Sequence, residues 1–141
     1  MADMTEQQRD AFLAERRVAV LGIARAAAGP LLAPIWYGYD PGGPFRFCMG
    51  GSSAKARRLG AEGRATVCVQ AEDHPYRYVI AEGPVGIEPL GDATNDAILA
   101  MATRYLGASG GRRYAEQFTT PDEVLVTLTP QRWQAVIPGA A

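Results

Sequence analysis

What this chain has little of narrows its chemistry before any motif is read. Its 141 residues hold one histidine, His74, and two cysteines, Cys48 and Cys68, which sit inside apolar runs rather than in a CxxC. A disulfide framework and a His/Cys zinc site are therefore not expected, and a Ser/His/Asp or Cys/His machine would have to be built on that single imidazole. His74 itself precedes Pro75 in the polar loop "AEDHPY", a setting that reads as solvated. The cysteines read as small buried hydrophobes in neighbouring strands. Basic excess is missing too: 14 Lys+Arg stand against 15 Asp+Glu, for a net charge of −1. A general nucleic-acid binder needs such an excess, so none is expected here. No apolar run approaches the ~20 residues of a membrane span. The opening "MADMTEQQRDAFLAERR" lacks the basic start and apolar middle of a secretory signal, so a cytoplasmic protein is the expectation.

What is present is ordinary globular stock, 48% hydrophobic and 21% charged, enough for one domain spanning 1–141. Residues 1–16 hold a lead helix, with Thr5 as N-cap and Gln8 in the capping-box position. "RVAVLGIAR" (17–25), "LLAPIWYGY" (31–39) and "PFRFCM" (44–49) read as three successive strands in a meander, divided by "AAAGP" and "DPGG" turns. "RATVCVQ" (64–70) and "YRYVIAEGPVGIEP" (76–89) add two more, the second bending at Gly83 or Gly86. A helix follows over 91–107, capped by Asp92 or Thr94 and ended by Gly107. "SGGRRYAEQFTTP" reads as a loop or short helix, "DEVLVTLTP" (122–130) as a sixth strand, and "QRWQAVIPG" as a brief seventh. No strand–helix–strand rhythm is present. The fold class is mainly β (α+β): a six- to seven-stranded antiparallel split β-barrel with marginal helices.

The richest chemistry lies in "FCMGGSSAKARRLG". Gly50 and Gly51 permit close backbone approach, Ser52 and Ser53 offer hydroxyls and an N-cap, and Lys55 and Arg58, three apart, share one side of a helix. Backbone N–H groups and cations then converge at one strand end as a small anion site suited to a phosphate. A solvated basic helix face explains the same residues, and the residues alone leave both readings open. "APIWYGY" and "PYRY" supply Trp36, Tyr37, Tyr39, Tyr76 and Tyr78 as flat surfaces, and Pro34 marks a strand position where ladder pairing lapses.

Taken together, "VAVLGIAR", the "GP" turn, "PIWY", the "SxK" start of the short helix and "YVIAEGPV" resemble the pyridoxamine 5'-phosphate oxidase-like split β-barrel proteins, especially the short flavin and deazaflavin oxidoreductases. The resemblance runs over residues 12–88 or so, with a fainter echo in "LVTLTPQRWQAV". It implies a homodimer with a cofactor in each of two shared grooves. It also implies that Lys55, with Ser52, Ser53 and Arg58, grips cofactor phosphate, and that backbone at Pro34, Ile35, Trp36, Met49 and Gly50 runs along the ring. Ser53 stands where some relatives have arginine, so one phosphate contact is either lost or replaced by Arg57 or Arg58. An extra basic set for pyridoxal phosphate is missing, which argues against pyridoxamine 5'-phosphate oxidase activity itself. The expectation is an oxidoreductase using FMN or coenzyme F-420 on a small conjugated substrate, with no protein nucleophile and with solvent or Tyr78 as proton source. Two rivals stay open: a non-catalytic protein that sequesters a flavin-type or tetrapyrrole ligand, and a barrel whose cleft binds nothing.

Overall fold

The computed structural model describes residues 2–138. The chain runs β1 (Ala2–Asp3), α1 (Glu6–Ala14), β2 (Ala19–Ile23), β3 (Leu31–Ile35), β4 (Gly38–Tyr39), β5 (Phe45–Gly50), α2 (Ala54–Glu62), β6 (Arg64–Gln70), β7 (Tyr78–Glu88), α3 (Asp92–Phe118), β8 (Glu123–Leu128) and β9 (Arg132–Ile137). All strand pairs are antiparallel, in the order β3-β2-β6-β7-β8-β5-β4, with β9 joining β7 and β1. Seven strands are five residues or longer, and the sheet curls into a half-open barrel flanked by three helices.

The curl hinges on β7. Its first half, Tyr78–Glu82, is paired on both sides, by β6 and by β9, and its second half, Val85–Glu88, turns away to pair with β8. Gly83 lies at the bend, where a Cβ would meet the Thr129 carbonyl oxygen at 1.9 Å. A backbone approach this close tolerates only hydrogen at the α-carbon. Gly86 has open space around it, so of the two glycines Gly83 is the one the bend requires.

Alternation fills the barrel. Phe45, Phe47 and Met49 of β5, Ala65, Val67 and Val69 of β6, and Val79 and Ala81 of β7 point inward and are buried, while Leu13 of α1 and Leu59 of α2 close the interior. Thr5 forms the full capping box with Gln8, and Ser53 caps α2 by accepting the Ala56 amide hydrogen. Gly63 ends α2 in the left-handed conformation at φ 72°.

Four sequence expectations give way. The segment 31–39 is two strands, because Tyr37 turns fully inward and donates its hydroxyl to the Leu13 carbonyl, which carries the chain off one sheet edge toward the other. β5 consequently pairs with β4 and β8, far from β3, and the three-strand meander is not formed. Cys48 and Cys68 are half-buried, free, and on strands that are not neighbours. Gly91, not Asp92 or Thr94, is the α3 N-cap, since the Thr94 hydroxyl is spent on the Pro89 carbonyl. Gly107, at φ 79°, ends the first limb of α3 as its sequence suggests, yet helix resumes beyond it to Phe118. Among the described residues no helix is long and apolar enough to cross a membrane.

Candidate functional site

A cavity of about 430 Å³ opens where the end of β5 meets the edge strand β3 and the two limbs of α3. Each wall has a sequence cause. β3 is an edge, where Pro34 removes no ladder hydrogen bond, so Pro34, Ile35 and Trp36 form one side. Met49 and Gly50 end β5 as the floor, and Ser53 and Lys55 enter from the first turn of α2. The apolar stripe of α3 contributes Ile98, Met101 and Ala102, and its second limb adds Tyr114 and Phe118.

Seven of the expected binding residues thus share one cavity: Pro34, Ile35, Trp36, Met49, Gly50, Ser53 and Lys55. The other three lie off it. Arg58 shares Lys55's side of the helix but is not among the cavity's lining, and its guanidinium is drawn one turn along the helix to Glu62 at 3.0 Å. Tyr78 stands on the outer sheet face beside Tyr76, its hydroxyl 3.5 Å from the Gln134 side-chain amide. Ser52 is engaged by Asp122, whose carboxylate accepts both its hydroxyl, at 2.7 Å, and its amide, at 3.2 Å. Gly51 donates its amide to the Asp122 carbonyl at 2.6 Å, and Ser53 donates its own to Gly50. Gly51 and Ser52 therefore spend their donors on Asp122 at the β8 junction, and the Ser53 amide is spent within the turn. Gly50 and Gly51 do allow a close approach, and the group that approaches is Asp122, 3.0 Å from either would-be Cβ.

This leaves Lys55, the chain's only lysine, as the cavity's cation. Among the described residues it makes no ion pair within 4.0 Å. Trp36 is held flat against Tyr105, ring centroids 4.7 Å apart and planes 4° from parallel, with Tyr114 tilted at 5.3 Å. Tyr105 is fixed in turn by donating to the Arg17 carbonyl and accepting the Tyr37 amide. An apolar slot with an aromatic wall, lined by one cation, Lys55, and one carboxylate, Glu123, fits a flat ring whose anionic tail seats against the lysine. Chemically, such a site can bind, orient and dehydrate a ligand; its cysteine is no thiolate nucleophile, since burial pushes the Cys48 thiol up to about 12, with Glu123 adding to the effect.

Sequence reading missed Cys48, Val18, Glu123 and the α3 contributors. The spacing 98, 101, 102 marks an apolar helix face, but nothing local says which wall it covers. Glu123 carries no signal beyond starting a strand.

His74 is exposed and lines no part of the cavity. A second, shallower groove of about 590 Å³ runs along the outer face of β2 and β6, lined by Arg16, Arg17, Val18, Val20, Cys68, Gln70, Glu72 and Asp73. Val18 borders both openings.

No family model matches the sequence, and no curated protein matches it. Solved structures do. A conserved hypothetical protein from Mycobacterium tuberculosis aligns with TM-score 0.83 at 21% identity, over 100% of this chain and 94% of its own. An F420 reductase aligns with TM-score 0.72 at 24% identity, over 89% and 94%. A candidate pyridoxamine 5'-phosphate oxidase from Listeria innocua gives TM-score 0.74 at 13% identity, over 93% and 97%, and a heme storage protein from Vibrio cholerae gives 0.69 at 14%, over 92% and 93%. The chain has the split-barrel fold of the pyridoxamine 5'-phosphate oxidase-like proteins. That fold serves reductases and heme proteins alike, so function must be argued from the cavity.

Proposed function

We propose that this protein is an oxidoreductase that binds FMN or coenzyme F-420 in the cavity and passes a hydride between the cofactor ring and a small conjugated substrate. The observation that carries the reading is the unpaired Lys55 at the end of an aromatic-walled apolar slot. When bound, the ring supplies the redox chemistry. The chain's own part is to hold the anionic end at Lys55, to lay the ring along Pro34–Trp36 and Met49–Gly50, and to exclude water with Tyr114 and Phe118.

The working unit in this reading is a homodimer. Cross-strand register puts Val20, Pro34 and Cys68 on one outer face, with Val18 and Leu32 beside them by alternation. Val18, Val20 and Leu32 are 54%, 39% and 64% exposed, an apolar patch that reaches the cavity lip at Val18 and Pro34. A second copy laid there removes this surface from water and closes the slot's open side. Light scattering at micromolar concentration should give about twice 15.1 kDa. A clean monomer with cofactor fully bound contradicts the shared groove.

The functional test adds FMN, F-420 and heme separately to protein freed of ligand and follows the spectra during reduction and on adding acceptors. Flavin or deazaflavin binding with turnover supports the proposal. Binding without turnover of any acceptor supports a sequestering protein, and heme binding alone overturns the flavin reading.

A further inference from the structure

Glu123 is the cavity group that the proposed function leaves without a role. It opens β8 directly opposite Gly50 in register, which puts it on the same sheet face as Cys48 and brings it to the cavity wall. The titratable and charged groups that bear on it come from every element around it: Cys48 from β5, Lys55 from α2, Tyr114 from the second limb of α3, and Asp122 just before it. Among the described residues its carboxylate forms no ion pair within 4.0 Å and accepts no hydrogen bond. Asp122, one residue earlier, has the Ser52 hydroxyl and amide; Glu123 has neither.

A carboxylate so placed is an uncomfortable anion. Burial disfavours its charge, the neighbouring Asp122 adds repulsion, and only Lys55 opposes them, so the carboxyl titrates above its ordinary value of 4.5. The thiol and the phenol of the wall do not compete for the proton, because burial pushes the Cys48 thiol up to about 12 and raises the Tyr114 phenol above its ordinary value of 10.0. Lys55 is thus asked to serve two anions. A ligand phosphate seated against it neutralises the one charge that favours the Glu123 carboxylate and brings further negative charge into a partly desolvated space.

We propose that Glu123 takes up a proton from solvent when a phosphorylated ligand seats against Lys55, so that the cavity binds anion and proton together and holds a neutral carboxylic acid beside its occupant. This rests on the reading that an anion-bearing cofactor occupies the cavity. The balance is simple: one carboxylate plus one solvent proton gives one carboxylic acid, and the ligand is unchanged. By linkage, affinity for the anion falls as pH rises above the Glu123 titration, by at most about tenfold per pH unit for one proton.

The test is calorimetric titration of FMN and of F-420 in buffers of low and high ionisation enthalpy, across roughly pH 5 to 8. Glu123→Gln runs in parallel and cancels the ligand's own titration. The parent should take up more protons per site than the variant, by as much as one, and Glu123→Gln should flatten the pH dependence of affinity. Equal proton counts in the two proteins overturn the inference. If neither ligand binds the parent, the cofactor reading fails, and a second arm still judges Glu123 by itself. Carboxyl-carbon NMR should place its titration above 4.5 in the ligand-free parent and higher again in Lys55→Ala. A Glu123 that titrates at its ordinary value in both proteins overturns the inference without any ligand.

Discussion

Asp10 and Glu123 are two partly buried carboxylates in opposite circumstances. Asp10 belongs to a closed corner of the barrel, where α1, β4 and β9 meet. It accepts the Tyr39 hydroxyl at 2.5 Å, the Gly42 amide at 3.3 Å and the Arg9 guanidinium at 3.2 Å, and Arg9 in turn lies 4.0 Å over the Trp133 ring. Burial alone would raise its carboxyl, but those three donors and the Arg9 charge outweigh it and hold Asp10 below its ordinary 3.8. Tyr39 answers with a phenol pushed up to about 12, by burial first and by Asp10 second. At the open rim, where β5, α2 and β8 meet, Glu123 has no donor and its carboxyl is raised. The closed corner pairs the Asp10 carboxylate, the Tyr39 hydroxyl and the Gly42 amide with one another and with Arg9, as a structural element does. Among the described residues the rim leaves Lys55 and Glu123 without an ion pair or hydrogen-bond partner beside an apolar slot, as a binding site does.

That contrast can be broken in four places, in descending order of effect. In the proposed homodimer, Leu32→Asp puts a charge into the apolar patch that the second copy would cover. The dissociation constant of that dimer should rise at least about a hundred-fold, since burying an unpaired charge in an apolar interface costs several kcal/mol. Sedimentation equilibrium reads this directly, and an unchanged dimer would move the interface elsewhere. Asp10→Ala should lower unfolding stability at pH 7 by about 1–2 kcal/mol, because it leaves the Tyr39 hydroxyl and the Arg9 Nε–H without their acceptor, while the Gly42 amide keeps the Tyr39 oxygen at 3.0 Å. Its deficit should shrink as pH falls through the folded-state titration below 3.8, where the parent loses the same contribution. Urea titrations at pH 7 and pH 3 measure both.

Glu123→Gln should act in the opposite direction. A raised carboxyl binds more protons folded than unfolded, so the parent's stability falls as pH climbs from 4.5 through the folded value, and the charged form is a liability above it. At pH 7 the variant should be more stable by about 0.5 kcal/mol, given its partial exposure, and no different at pH 4. A loss of stability at pH 7 would mean that Glu123 has a partner after all. His74→Ala should do nothing measurable: stability within about 0.5 kcal/mol and cofactor affinity and reduction rate within a few-fold. A hundred-fold loss in rate would place an imidazole in the chemistry that the cavity walls do not contain.

Much of the closed region was legible in the sequence. Thr5 with Gln8, Ser53 before "AKARRL", and Gly107 as the end of the first limb of α3 act through bonds within a few residues, so they read locally. The half of β7 that pairs with two partners shows as a long apolar strand with a glycine at its bend. The path of 31–39 was not legible, because Tyr37 turns inward for the Leu13 carbonyl, 24 positions away. At the rim, the sequence pointed to Pro34–Trp36, Met49–Gly50 and Ser53–Lys55, which are contiguous stretches. It could not show that Asp122, seventy residues beyond Ser52, claims the serine's donors, nor that Glu123 and the second limb of α3 complete the wall. Those placements follow from β5–β8 register, a non-local fact.

The proposed cofactor site depends most on Lys55 gripping an anionic tail, which ligand titration of the parent and a lysine variant tests. FMN, F-420 and riboflavin, which has no phosphate, are titrated into the parent and into Lys55→Ala by fluorescence. Loss of one charge-assisted contact should weaken FMN or F-420, whichever the parent binds, roughly ten- to a hundred-fold, about 1.5–3 kcal/mol, with riboflavin unaltered. If FMN and F-420 bind the variant as tightly as the parent, Lys55 is a solvated surface charge and the cavity is not the phosphate-anchored cofactor site described.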